Sequence, residues 1–103
     1  MKLKSKQVAY LKSQAHHLQP IFQIGKNGLS AEQVSQINDA LEKRELIKIS
    51  LLQSNMESPE ETAEIIAEKT GANIIQVIGR VIVLFKKSSK EENRKISLTL
   101  PKA

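Results

Sequence analysis

Apolar positions along this 103-residue chain switch between a helical and an alternating period. Val8, Leu11, Ala15 and Leu18 recur every three to four residues, which predicts a first helix from about Ser5 to His17, closed by Pro20. The run Ile21 to Ile24, fenced by Pro20 and Gly25, predicts a short strand. Val34, Ile37 and Leu41 return to helical spacing behind Ser30-Ala31-Glu32-Gln33, a capping box in which Ser30 is the N-cap and Gln33 reaches back. That helix runs to about Arg44, where Lys43 and Arg44 suit the negative end of the dipole. From Leu46 to Leu52, Ile47, Ile49 and Leu51 alternate with Lys48 and Ser50, a second strand followed by a polar turn from Gln53 to Glu57. Ser58-Pro59-Glu60-Glu61 joins an N-cap serine, an N1 proline and an acid at N3. The helix it starts buries Ala63, Ile66 and Ala67 and ends at Gly71, which suits a left-handed cap. Ile74 to Ile78 and Val81 to Phe85 are apolar strands joined by Gly79-Arg80, a hairpin signal of type II′.

The predicted order is αβαβαββ. Each strand–helix–strand step needs a parallel, right-handed crossover, and the last two strands pair antiparallel. The fold class is therefore α/β, a compact sandwich with a four-stranded mixed sheet. After Lys86 the chain turns polar, so residues 1–87 read as a single domain and 88–103 as a loose, flexible C-terminal arm. Ile96, Leu98 and Leu100 alternate, a pattern that lets the arm dock as an extended piece. There is no internal repeat.

Composition narrows the function. With 40% apolar residues the chain is globular, and the absence of cysteine removes disulfides, thiolate metal sites and a thiol nucleophile. No apolar run reaches the ~18 residues of a membrane span, and the first residues lack the apolar core of a signal peptide, so a cytoplasmic protein is expected. Charge is segregated along the chain. Residues 1–30 carry five lysines and no acid; residues 31–71 carry nine acids against four bases; residues 72–103 carry seven bases against two acids. If the two basic ends share a face, that face is a polyanion site, although scattered lysines also serve solubility alone.

The tetrapeptide Gly25-Lys26-Asn27-Gly28 lies between a strand and a capped helix start. Its bland reading is a turn that needs φ > 0. Its chemical reading is a phosphate cradle, with glycines that let amides turn outward, a helix N-terminus behind them and Lys26 at the tip. The loop lacks the residues of a nucleotide-hydrolysing P-loop and the second glycine of a dinucleotide fingerprint. Lys2, Lys4, Lys6 and Lys12 form a basic helical face, either solvated or on phosphate. His16 and His17 point to different sides of a helix, which disfavours a shared metal; one is expected to pack, and His17 to touch phosphate. Lys48, Arg80 and Lys86 extend the candidate set, with their faces left open. Tyr10, Phe22 and Phe85 are the only aromatics, and the last two sit in strands, so recognition through RNA backbone and shape is favoured over base stacking. No catalytic constellation, metal cluster or cofactor motif is present in the sequence.

Several stretches together resemble the YhbY family, the bacterial stand-alone form of the CRM domain (chloroplast RNA splicing and ribosome maturation). They are Leu11-Lys12 with Ala15-His16, Gly25-Lys26-Asn27-Gly28-Leu29, Ala40-Leu41 running into Glu45-Leu46-Ile47-Lys48, Thr70-Gly71-Ala72, Gln76-Val77-Ile78-Gly79-Arg80, and Arg94-Lys95-Ile96-Ser97-Leu98. The resemblance implies a fold similar to the C-terminal domain of translation initiation factor three. It implies RNA binding through the GxxG loop and nearby bases, and association with precursors of the large ribosomal subunit. Where that family often has Leu-Tyr-Arg, this chain has Leu84-Phe85-Lys86, which removes a hydroxyl and a guanidinium capable of bidentate phosphate contact. The expectation is a monomeric, non-enzymatic RNA-binding protein of ribosome assembly, with no membrane, small-molecule substrate or cofactor. The competing reading is a protein-binding assembly adaptor that uses the acidic second and third helices.

Overall fold

Alternation within the central strands sets the layers. The computed structural model describes residues 2–102 and contains one four-stranded sheet. Its strands are β1 (Pro20–Ile24), β2 (Leu46–Leu51), β3 (Asn73–Ile78) and β4 (Val81–Phe85), in the order β1-β2-β4-β3. β1 runs parallel to β2, and β4 is antiparallel to both β2 and β3. With α1 (Ser5–Ala15), α2 (Ala31–Arg44) and α3 (Pro59–Thr70), the αβαβαββ order and the mixed sheet are those the periodicity predicts. In β2, Ile47, Ile49 and Leu51 pack with Ile37 and Leu41 of α2 and with Ala63 and Ile66 of α3. Leu46 turns the other way, to Leu11 and Ala15 of α1 and to Val83 and Phe85 of β4. Thus α1 covers one face of the sheet and α2 with α3 covers the other. Each such fully buried Leu or Ile contributes roughly 1.5–3 kcal/mol.

The predicted punctuation holds at Ser58, whose Oγ accepts from the Glu61 amide at 3.3 Å, and at Gly71, which ends α3 with φ 78°. Gly79 has φ 55° while Arg80 stays out of the left-handed region, as a type II′ turn requires. Elsewhere the details differ. α1 ends at Ala15, two residues before His17. Ser30 does cap α2, accepting from the Gln33 amide at 3.0 Å. The Gln33 side chain does not complete a capping box, however; its Nε2 donates to the Gln23 carbonyl at 3.0 Å and ties α2 to β1. Ala67 is only half-buried, whereas Thr62 and Thr70 are buried because their hydroxyls bond the carbonyls of Ser58 and Ile66.

Where the composition suggests a loose arm, residues 88–102 fold back across α1 and the end of α2. A 3₁₀ turn (Glu91–Asn93) precedes a short helix, α4 (Ile96–Thr99), in place of the extended piece suggested by the alternation. Ile96 and Leu100 pack with Leu3, Val8 and Tyr10 against the α1 face. The anchor is Glu45, fully buried and at φ 66°, a conformation that costs a non-glycine residue about 1–3 kcal/mol. Its carboxylate accepts from the amides of Ser88 (2.8 Å), Lys95 (2.9 Å) and Ser97 (3.0 Å) and from the Ser97 hydroxyl (2.7 Å). Burial pushes its pKa up, but the bonds from Ser97, Ser88 and Lys95 outweigh that and hold it below the ordinary carboxylate range. One turn earlier Glu42 accepts from the Ser89 amide and hydroxyl, both at 2.8 Å, and these bonds lower its pKa too.

Candidate nucleic-acid interface

The Gly25–Gly28 segment is a closed turn. The Gly28 amide donates to the Gly25 carbonyl at 3.0 Å, and Gly28 has φ 75°. Only Gly28 uses the left-handed region. A Cβ on Gly25 would meet Leu52 Cδ1 at an ordinary 3.6 Å. The Gly28 amide is therefore spent inside the loop rather than turned outward. The corner residues Lys26 and Asn27 are exposed, and their amides have no acceptor among the described residues. Behind them the first turn of α2 contributes its own unpaired N–H groups and positive dipole end. The tip thus offers backbone donors and one ammonium, the chemistry of anion binding.

Two residues hold this loop: Asn55, which the sequence marks only as part of a polar turn, and Arg80, which it offers as a candidate RNA contact. Asn55, buried in the β2–α3 connection, donates from Nδ2 to the Gly25 carbonyl at 2.8 Å. Arg80 donates from Nε to the Leu51 carbonyl (3.2 Å) and from Nη2 to the carbonyls of Leu52 (3.0 Å) and Asn55 (2.7 Å). Its guanidinium therefore braces the connection that braces the loop. Turn composition around 53–57 signals a bend but not where the Asn55 amide reaches. Glu57 is a second omission: its Oε1 lies 3.2 Å from where a Gly28 Cβ would stand, so a carboxylate flanks the tip.

The predicted bases are spread along the sheet rather than gathered at the loop. Lys48 projects from the middle of β2 onto the α1 face, half-buried, in a cavity of about 250 Å³ shared with His16 and Gln76. His16, not His17, lines that cavity, and neither ring is buried. Lys12 stands one turn before His16 on the same helical face and is exposed. Lys4 and Lys6 lie at the far end of α1, where Gln7 bonds the Pro101 carbonyl, about 16 Å of helix from Ala15. Lys86 is also remote from the loop. It follows the far end of β4, and its Nζ lies 3.3 Å from Asn38 Oδ1 and 4.0 Å from Glu42. Lys26 and Arg80 therefore stand at the loop end, Lys48 lies mid-sheet beside His16, with Lys12 one turn back on α1, and Lys4, Lys6 and Lys86 belong to the arm end.

Among the described residues no group of three or more His, Asp or Glu side chains could hold a metal ion, and no helix is long and apolar enough to cross a membrane. A family model described as the CRS1/YhbY (CRM) domain matches residues 3–86. The chain is 46% identical over 96 residues to the probable RNA-binding protein YqeI of Bacillus subtilis, covering 93% of this chain and 98% of that one. It is 36% identical to an RNA-binding protein of Haemophilus influenzae over 93% of this chain and 94% of that one. The solution structure of the hypothetical protein SAV1595 from Staphylococcus aureus superposes with a TM-score of 0.76 at 43% identity, over 97% of this chain and 100% of that one. From the residues before α1 to the end of the last hairpin, this chain belongs to the CRS1/YhbY (CRM) domain family.

Proposed function

We propose that this chain is a non-enzymatic RNA-binding protein that holds the RNA backbone at the Lys26–Asn27 tip and acts on precursors of the large ribosomal subunit during ribosome assembly. The observation that carries the RNA contact is the closed Gly25–Gly28 turn, with its two open corner amides and Lys26, seated on the N-terminus of α2. Relatives named as RNA-binding proteins support the ligand class. Lys12, Lys48 and His17 extend the contact beyond the loop end, and Arg80 acts by positioning. Lys4, Lys6 and Lys86 add long-range attraction from the arm end. Residues 1–87 are the RNA-binding unit, with 88–102 as its brace.

The dipole end of α2 supplies only about 0.3–2 kcal/mol to a bound anion, so affinity depends on several cations acting together. If about four phosphates are neutralised, log K should fall against log salt with a slope near −3. Titration of structured large-subunit RNA at several salt concentrations tests this, and a slope near zero sinks it. The assembly role is tested by crosslinking in cells and sequencing the attached RNA; an absence of large-subunit precursor reads refutes that half of the proposal. The adaptor reading keeps the exposed acids Glu32, Asp39, Glu60, Glu61, Glu64 and Glu68 of α2 and α3; charge reversal at Lys26 and Lys12 should leave ribosome association intact under it and abolish it under the RNA reading.

A further inference from the structure

The cavity on the α1 face exists because α1 stops at Ala15. The helix and the 88–102 segment cover Leu46, Val83 and Phe85, but leave Lys48, Gln76 and Val81 only half-buried. Ile78 is 59% exposed there. The cavity has an apolar floor of Ile78, Val81 and Val83 and a polar rim of His16, Lys48 and Gln76, with no acid in its lining. Lys48 is half-buried, yet it has no counter-ion among the described residues, and the Gln76 amide has no partner there. Three residues along β2 from Lys48, Leu51 pairs with Ile24, which leads directly into Gly25. About 10 Å of strand therefore separates this cavity from the start of the loop.

We propose that the cavity takes one unpaired guanine from the same RNA strand whose backbone lies on the Lys26–Asn27 tip; this rests on the RNA-binding reading above. A bound phosphate needs converging N–H donors and no apolar floor. A base is the reverse, with flat faces that want apolar or ring contacts and edges that want hydrogen bonds. Val81, Val83 and Ile78 supply one plate and the His16 imidazole the other. The Lys48 ammonium has donors only, so it suits O6 and N7 of guanine. Adenine keeps N7 but puts an amine donor where guanine has O6, and cytosine puts an amine donor there with no N7, so both answer that charge less fully. Gln76 carries both a donor and an acceptor and serves the adjoining edge. Backbone contact at the tip then supplies affinity, and this cavity supplies preference, so base recognition arises without the aromatic residues that the chain lacks.

The test uses the full chain and short oligocytidines carrying one central guanosine, adenosine or abasic site, read by fluorescence anisotropy at several salt concentrations. The guanosine strand should bind about tenfold tighter than the other two. Lys48→Met should erase that preference, as should Gln76→Leu in part, with folding checked by circular dichroism. Lys26→Glu should weaken all three strands alike. Guanosine-dependent NMR shifts at the Val81 and Val83 methyls give a readout on the unmutated chain. Equal binding of all three strands with a normal salt slope overturns the cavity and leaves the backbone reading standing. A preference that survives Lys48→Met overturns it as well. Failure of every strand to bind at low salt overturns both.

Discussion

Each end of the sheet hangs a loop on one charged side chain, and the two charges have opposite sign. At the loop end the Arg80 guanidinium collects the carbonyls of Leu51, Leu52 and Asn55. At the arm end the Glu45 carboxylate collects the amides of Ser88, Lys95 and Ser97. A guanidinium has only donors, so it fixes the β2–α3 connection through carbonyl oxygens, while the amides of Leu51, Leu52 and Asn55 are bonded to the carbonyls of Arg80, Ile24 and Leu52. A carboxylate has only acceptors, and Glu45 consumes the amides of the segment it holds. The loop end keeps open amides only at the Lys26–Asn27 tip, which the Arg80-held connection supports through Asn55, and the arm end is closed on itself.

The sharpest way to break this comparison is Glu45→Ala. Truncation leaves the donors of Ser88, Lys95 and Ser97 without their acceptor and keeps the costly φ. A loss of about 3–5 kcal/mol in chemical denaturation is expected. The folded fraction should still bind RNA with unchanged salt dependence, because the tip is at the other end. A loss under about 1 kcal/mol would mean that the carboxylate does not hold the segment.

Acid addresses the same end without mutation. The Glu45 and Glu42 pKa values are lowered by their hydrogen bonds. Groups of that kind contribute stability that is fully present above their unfolded pKa, near 4.3, and lost as pH falls through the folded value. Stability should therefore hold at neutral pH and decline from about pH 5 downward. Glu45→Gln should flatten that acid limb, and an unchanged limb would remove Glu45 from the explanation.

At the open end, Arg80→Ala should cost about 2 kcal/mol of stability and weaken RNA binding roughly tenfold while leaving the salt slope alone. Lys26→Ala should reduce the slope by about one unit with little effect on stability. Arg80→Lys should not rescue, since a point charge cannot reach three carbonyls in fork geometry. If Arg80→Ala lowers the slope as Lys26→Ala does, Arg80 contacts phosphate directly.

Much of the fold was legible because it rests on local signals. Ser58-Pro59 and Gly71 mark α3 by chemistry that acts within one turn, and the alternation in β2 sorts Ile47, Ile49 and Leu51 from Lys48. The candidate site was legible at Lys26 and Lys48 but not in how it is held. Asn55 reaches Gly25 across 30 positions and Arg80 reaches Leu51 across 29, and no periodicity carries contacts of that span. Glu45 illustrates the same gap. The sequence presents it as one more acid after a helix, where a glycine would be the usual choice for φ 66°. Its partners lie more than 40 positions away in a stretch whose composition suggests a loose arm.

The smallest expected effect separates the two glycines of the loop, which the sequence presents as equivalent. Gly28 has φ 75°, and a Cβ there would stand 3.2 Å from Glu57 Oε1. Gly28→Ala should therefore cost about 1–2 kcal/mol. Part of that strain can be relieved if the exposed Glu57 side chain moves, so Glu57→Ala in the same chain should return the steric share and not the backbone share. Gly25 is not at positive φ, and its Cβ would make only ordinary contact with Leu52. Gly25→Ala should change stability by less than about 0.5 kcal/mol, with the sign set by the unfolded chain it stiffens. Thermal melts of the two single variants measure the difference directly. Equal losses would mean that the loop depends on both glycines for room rather than on Gly28 for its left-handed turn.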